Sequence, residues 1–263
     1  MLQPYRGFCS ILLNIFLSGL KIAPILFILS CGGLPSKLKT YKQSNINYWE
    51  NQISFFGKTF ESQNKTIKLP IAFSKYLNNL TKKIRIKSKL DLSREIQVKV
   101  LKSQNPFWYS LPTGEIIFSS DFIKKYVFSE SFLASVISFE LVRINTLAYE
   151  KNKLYPKGYI DQKEFLKLFY LDSKRRITIH KWAMINIHRS NFDIHEYLNW
   201  IQTISRHLDK FSTMGFNLTE LSLEERDIKR FLTANDEISL FKIEDTKKSS
   251  TIFYDFKNFI SGK

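Results

Sequence analysis

Two residues in the middle of the chain, Glu140 and Arg143, could take part in acid–base chemistry. Glu140 follows Phe139 directly and precedes Arg143 by three residues, in a segment, residues 129–147, with helical periodicity. The apolar positions of that stripe are Leu133, Val136, Ile137, Ile144 and Leu147. Because Glu140 falls within the stripe, its carboxylate needs water or a partner, and Arg143 is one turn away. The pair is either buried or solvated at the rim of the core, and helical spacing alone favours the rim.

Histidines and cysteines provide no second site of catalysis. The four histidines are His180, His188, His195 and His207, and none are spaced four residues apart, as two zinc ligands on one helix would be. The sequence also contains no Gly-x-Ser-x-Gly elbow for a serine nucleophile. We therefore predict no metal and no cofactor, unless the alternative with zinc described below holds.

The N-terminus has the pattern of an export signal. Residues 1–30 contain no acidic residue, and a short apolar run at 22–29 follows Lys21 and ends just before Cys31. The pattern resembles a bacterial lipoprotein signal, in which the cysteine is lipidated and becomes the mature N-terminus. The resemblance implies a signal peptide over 1–30 and a membrane partner reached through lipidated Cys31. It also implies a place in the bacterial cell envelope, facing the periplasm or the exterior.

Two alternatives for the N-terminus stay open. The apolar stretch from Phe8 to Leu29 is interrupted by Lys21, and an uncleaved membrane helix would explain it differently. Translation from Leu20 would instead make Lys21 the basic start of the signal, and a precursor peptide upstream of Leu20 would exclude that start.

Composition limits the class of protein. A chain of 263 residues with 44% hydrophobic residues buries one sizeable core, so disorder throughout is excluded. The net charge of +16 comes without a nucleic-acid-binding motif, and we predict no nucleic-acid partner. Basic residues cluster at Lys82, Lys83, Arg85, Lys87, Lys89 and Arg94. This stretch is either a solvated face or a contact with an anionic membrane surface.

Local patterns predict helices, strands and boundaries along the rest of the chain. Apolar residues from Leu69 onward follow helical spacing, at Ile71, Tyr76, Leu77, Leu80 and Ile84. Ile96, Val98 and Val100 alternate with polar residues as in a half-buried strand, and a second strand follows the turn at 112–114. We predict a polar tether over 31–62, a folded domain over 63–235 and a C-terminal extension over 236–263. The aromatic residues of that extension either pack onto the core, which we favour, or contact a partner; they are Phe253, Tyr254, Phe256 and Phe259.

A family resemblance rests on residues 107–142, FWYSLPTGEIIFSSDFIKKYVFSESFLASVISFELV. The segment resembles the core of the HtpX and BepA-like zinc metallopeptidases, peptidase family M forty-eight. In that family a Leu-Pro-Gly-Gly strand, a short helix and a Ser-Glu-Asp-Glu-Leu cap precede a His-Glu-x-x-His helix. Residues 111–114 stand at the first motif and Ser129 at the cap. The resemblance covers roughly 67–232 and implies an α+β, mainly helical fold with a small sheet beside the active-site helix.

The resemblance also assigns roles to single residues. Glu140 matches the general-base glutamate, while Phe139 and Arg143 match the two zinc-binding histidines. Counting back from the turn at Asn191, Thr178 matches the third ligand, a glutamate in the family. Phenylalanine has no donor atom, threonine is a poor neutral ligand and arginine repels zinc, so these positions cannot hold the metal. The strand Glu115, Ile116, Ile117, Phe118 and Ser119 matches the edge of the peptide groove, where a peptide could add as a further strand.

Two functions are compatible with these features. The first is a pseudopeptidase, a non-catalytic metallopeptidase homologue that binds or scaffolds a peptide or protein partner outside the cytoplasm. The alternative is an active zinc metalloendopeptidase with an atypical metal site. Metal content after purification separates them, since an active member holds about one equivalent of zinc.

Overall fold

The computed structural model describes residues 48–91, 93–149, 161–235 and 249–262. The helices of these residues are α1 Tyr48–Gln63, α2 Ile71–Lys87, α3 Ser120–Tyr126, α4 Glu130–Thr146, α5 Gln162–Lys167, α6 Ser173–Arg189, α7 His195–Arg206, α8 Leu208–Phe211, α9 Leu218–Thr233 and α10 Thr251–Ser261. The strands are β1 Gln97–Leu101, β2 Trp108–Ser110 and β3 Glu115–Ser119, and a short 3-10 helix spans Ser212–Met214. The fold is α+β and mainly helical, as predicted.

The three strands form a small mixed sheet in the order β1-β3-β2. β1 runs parallel to β3, and β2 runs antiparallel to it. The predicted alternation is confirmed in β1, because Ile96, Val98 and Val100 are all buried. β2 was not predicted from the sequence. All three of its residues are buried, so the strand lacks the alternation of apolar and polar residues that indicates a half-buried strand.

The position of β3 corrects the predicted peptide groove. Glu115–Ser119 pairs with β1 on one side and with β2 on the other, so β3 is the central strand. Its main-chain N–H and C=O groups are therefore used within the sheet, and a peptide cannot add to it. The far side of β1 is also partly occupied, because the amide of Ile67 donates to the carbonyl of Val100 at 2.8 Å.

Helix α4 lies at the centre of the fold. It begins as predicted at Ser129, whose hydroxyl accepts a hydrogen bond from the amide of Phe132. Helices α2, α6 and α7 and strand β2 pack around it. Every residue from Phe132 to Ile144 is buried as a result, so the prediction of a single apolar stripe with a solvated rim is wrong.

The folded part begins before the predicted boundary at residue 63. Helix α1 falls largely within the predicted tether, yet Ile53 and Phe60 are buried in the core. Phe60 stacks on Phe165 of α5 with ring centroids 4.3 Å apart. An amphipathic helix that contributes core side chains is part of the domain, so the boundary is corrected to residue 48 or earlier. The predicted signal over 1–30 and Cys31 lie outside the described residues.

The C-terminal helix α10 packs on α2 and α3. Phe253 and Phe256 are fully buried, which confirms the predicted packing for these two aromatic residues, whereas Tyr254 and Phe259 are exposed. The chain before α10 is joined to the start of α4, since the amide of Ser250 donates to the Glu130 carboxylate at 2.9 Å. The predicted extension therefore contributes to the same core.

The basic stretch divides into buried and exposed residues. Arg85 is buried, and its guanidinium donates to the carbonyls of Asp91 and Arg94 at 2.7 and 2.6 Å. Lys82, Lys87 and Lys89 are exposed. A contact with an anionic surface would therefore use the lysines and not Arg85. Among the described helices, none combines the length and the apolar character needed to cross a bilayer.

Candidate functional site

Glu140 is buried beneath the sheet, with 1% of its surface exposed. Its Oε2 accepts a hydrogen bond from the hydroxyl of Ser110 in β2 at 2.5 Å, and that hydroxyl is also 3.0 Å from the hydroxyl of Tyr149. Burial raises the pKa of Glu140 above its usual range, although Arg143 and Ser110 oppose the shift. Of the two alternatives for Glu140, the buried one is therefore correct, and the solvated rim that helical spacing alone favoured is not.

Arg143 provides the charge that faces Glu140. Its Nη1 lies 3.7 Å from Glu140 Oε2, and both side chains are almost completely buried. Its Nη2 donates to the carbonyl of Phe169 and its Nε to the carbonyl of Ala148 at 3.3 Å. The guanidinium also lies over the ring of Tyr149, 4.9 Å from its centroid. The cation is thus held by one carboxylate, two carbonyls and an aromatic face, which together replace water around a buried charge.

Phe139 faces α6 and α7. Its ring lies 4.8 Å from that of His180 and 5.4 Å from that of Trp200, measured between centroids. His180 is fixed at both nitrogens, with Nδ1 2.7 Å from the hydroxyl of Tyr197 and Nε2 3.2 Å from the carboxylate of Glu224. Burial lowers the pKa of His180, and Glu224 opposes that shift only in part, so the ring is neutral at pH 7.

The structure corrects the placement of Thr178. Its side chain is exposed, and its hydroxyl donates to the carbonyl of Lys174 one turn earlier in α6. His180 is the residue of α6 that contacts Phe139. Two residues along a helix correspond to a rotation of about 200°, so Thr178 and His180 point to opposite sides.

Arg176 and Glu224 form a second buried ion pair, which was not predicted from the sequence. The Nη2 of Arg176 lies 2.5 Å from Glu224 Oε1 and 2.6 Å from Glu220 Oε2. Glu224 is fully buried and also faces His180. Its place in α9, between Leu221 and Ile228 on one helical face, is the same signal that singled out Glu140: an acid inside an apolar stripe.

The two ion pairs line a single pocket between α4, α6, α7 and α9. It has an empty volume of about 500 Å³, which includes its solvent-filled mouth. Its walls include Phe139, Glu140, Arg143, Arg176, His180, Trp200 and Glu224. Of the four residues that the family resemblance singled out, the structure thus brings Phe139, Glu140 and Arg143 to one cavity and leaves Thr178 outside it.

The residues of this pocket do not fit zinc. Phe139 has no donor atom, and the guanidinium of Arg143 is next to the carboxylate that would approach the metal. The donors that are present, His180 and Glu224, are bonded to each other and to Tyr197 and Arg176. Within the described ranges, no group of three His, Cys, Asp or Glu side chains is arranged to hold a metal ion.

Comparison of the sequence with known protein families and with curated proteins found no match. The resemblance to the metallopeptidases stays a prediction, based on the order of the motifs from Leu111 to Arg143.

Proposed function

We propose that this protein is a pseudopeptidase, a non-catalytic relative of the HtpX and BepA-like zinc metallopeptidases that binds a peptide or protein partner. The observation that carries the proposal is the pair formed by Glu140 and Arg143, 3.7 Å apart and buried. In the motif that the helix resembles, the second histidine binds zinc at the position of Arg143. A guanidinium at that position balances the carboxylate without a metal, so the old centre stays folded without its ion.

Glu140 is poorly placed to act as a general base. A general base must reach the proton of a water molecule next to the substrate, at roughly 2.6–3.2 Å. Glu140 has 1% of its surface exposed, and its Oε2 is already an acceptor for Ser110 and faces Arg143. These contacts favour a structural role for the carboxylate over catalysis.

Binding would use the pocket and not the sheet. Because β3 is paired on both sides, a partner gains no main-chain hydrogen bonds from it. The pocket instead presents aromatic walls, which favour the side chain of a partner over its backbone.

The test of catalysis uses an unfolded protein substrate, β-casein, in the presence and absence of zinc. We expect no cleavage by the wild type, and a measurable affinity for the uncleaved substrate. Glu140→Gln is the matched control, since it keeps size and removes the base. Cleavage that disappears in Glu140→Gln would refute the proposal and favour the active metalloendopeptidase.

The positional match to the zinc ligands has its own test. We expect Phe139→His, Arg143→His and His180→Glu together to create zinc affinity, because these three side chains converge on the pocket. The control is the same double histidine variant with Thr178→Glu and His180→Gln, and it should bind zinc more weakly, since residue 178 is exposed and no third ligand is then added at the pocket. Metal analysis after dialysis distinguishes them. Equal zinc content in both variants would contradict the placement of α6 described above.

The proposal includes export as a lipoprotein with Cys31 as the anchor. The supporting observation is the acid-free apolar segment that ends at this cysteine. The wild type should partition into detergent, and Cys31→Ser should yield an uncleaved or soluble protein. Cys9→Ser is the matched control, because Cys9 precedes the cleavage point. A wild type that stays in the aqueous phase would exclude the anchor.

A further inference from the structure

Two hydrogen-bond donors next to the pocket have no acceptor among the described residues. They are Nη1 of Arg176 and Nε1 of Trp200, and both atoms are buried. Both residues line the pocket. Buried N–H groups in folded proteins are nearly always paired, so two unpaired donors at one cavity require an explanation. An acceptor supplied from outside the chain would satisfy them.

The other polar groups of the pocket are already engaged. His180 contacts Tyr197 through one nitrogen and Glu224 through the other. Oε1 of Glu224 accepts a hydrogen bond from Arg176, and Oε2 of Glu140 accepts one from Ser110. Donors are thus in excess, and the missing partner is an acceptor.

The charges of the pocket indicate that this acceptor is uncharged. The charged side chains at the pocket, or bonded to it, are the cations Arg143 and Arg176 and the carboxylates of Glu140, Glu220 and Glu224. Even with Glu140 protonated, two carboxylates balance two guanidinium groups. An anion entering the pocket would lose its hydration without meeting net positive charge. A cation would meet no unoccupied carboxylate oxygen on Glu224.

The walls specify the rest of the ligand. Aromatic rings surround the pocket, contributed by Trp108, Phe139, Phe169, Tyr170, Trp200 and Phe216. Apolar and aromatic groups gain most from such walls, both by burial and by ring contacts.

We propose that this pocket binds a neutral apolar or aromatic group carrying a carbonyl, which accepts hydrogen bonds from Arg176 and Trp200. The same chemistry is present in a free acylated or amidated small molecule and in an aromatic residue within a peptide. The inference depends on the proposed function only for the second source. It holds for the first source even if the chain is unrelated to peptidases.

The first experiment compares three phenylalanine derivatives that differ in charge. They are N-acetyl-phenylalaninamide, which is neutral, N-acetyl-phenylalanine, which is an anion, and phenylalaninamide, which is a cation at the assay pH of 6. Calorimetric titration of the full chain in detergent measures the dissociation constant of each. We expect the neutral compound to bind at least about tenfold more tightly than either ion, because an ion must lose hydration without a partner. Tighter binding of the anion, or no binding of any compound, would overturn the inference.

The second experiment removes one donor. Trp200→Phe keeps an aromatic ring and deletes the N–H, and it should weaken binding of the neutral compound about threefold to tenfold, the worth of one neutral hydrogen bond. Trp182→Phe is the matched control, since Trp182 does not line the pocket. Thermal melts establish that both variants are folded. Unchanged affinity in folded Trp200→Phe would refute the assignment of the donor.

Peptides distinguish the two sources. A neutral capped peptide with one internal phenylalanine is compared with the same peptide carrying alanine. If the phenylalanine peptide competes with the neutral compound, the ligand includes a partner's side chain. If the compound binds and neither peptide does, the pocket takes a small molecule and the proposed partner binding fails. Peptide binding that is insensitive to Trp200→Phe would leave the proposed function standing and refute this site.

Discussion

Removal of Arg143 tests whether the buried pair replaces the metal. Arg143→Ala leaves the Glu140 carboxylate, 1% exposed, with Ser110 and the indole of Trp108 as its remaining neighbouring donors, and leaves the carbonyl of Phe169 without the guanidinium. Breaking a buried ion pair by removing one partner destabilises a protein by roughly 3–5 kcal/mol. Glu140→Ala should cost less, about 2–3 kcal/mol, because Arg143 keeps its two carbonyl acceptors.

The coupling free energy between the two substitutions can be estimated from the distance between Arg143 Nη1 and Glu140 Oε2. Opposite charges 3.7 Å apart attract by about 4 kcal/mol at an effective dielectric constant of about 20. We therefore expect the double variant to be about 2–4 kcal/mol more stable than the sum of the single effects predicts. Since burial raises the pKa of Glu140, the coupling should be larger at pH 8 than at pH 5, where more of the carboxyl is protonated.

The assay is urea unfolding of the four proteins of the cycle, followed by circular dichroism at both pH values. The matched control is the pair Asp227 and Arg230, which has the same spacing and the same 3.7 Å separation but an arginine that is 72% exposed. Its coupling should be about 0–0.5 kcal/mol. A coupling at Glu140 and Arg143 no larger than this control at either pH would refute the pairing.

Three further predictions concern the same core. Val136→Asp should destabilise the domain by roughly 4 kcal/mol or more, because Val136 is fully buried and the new charge has no partner. Thermal and urea unfolding measure the loss. Near-wild-type stability would contradict the central position of α4. Burial raises the folded-state pKa of Glu140, so the folded protein binds the proton more tightly and loses free energy of unfolding as pH rises from 4.5 to the folded pKa. Glu140→Gln should remove this loss, and an unchanged pH slope would contradict it. Phe256→Ala should lower the free energy of unfolding in urea by about 3–5 kcal/mol, because Phe256 is fully buried. Tyr254→Ala should lower it by less than about 1 kcal/mol, because Tyr254 is 48% exposed. Equal losses in the two variants would contradict the packing of α10 on the core.

The sequence alone could not show which residue of α6 faces Phe139 of α4. Counting back from the turn at Asn191 predicts Thr178 at the third ligand, but this count assumes that the chain keeps the family's spacing residue by residue. A difference of two residues rotates a helical side chain by about 200°, so the count selected the exposed side of α6 and missed His180. The contact between Phe139 and His180 is a property of how α4 and α6 pack, and neither segment encodes it alone.

Part of the local structure of this protein could be predicted from short-range signals in the sequence. The alternation at Ile96, Val98 and Val100 specified β1, and Ser129 specified where α4 begins, because both signals act between residues close in the chain. Packing decided the rest. The apolar positions of α4 show which side of the helix is most apolar, but they do not show how many elements surround it. Glu140 and Arg143 are buried because α6, α7 and β2 also pack on this helix. The central place of β3 likewise depended on two strands that pair with it through backbone groups, which are the same in every residue type except proline.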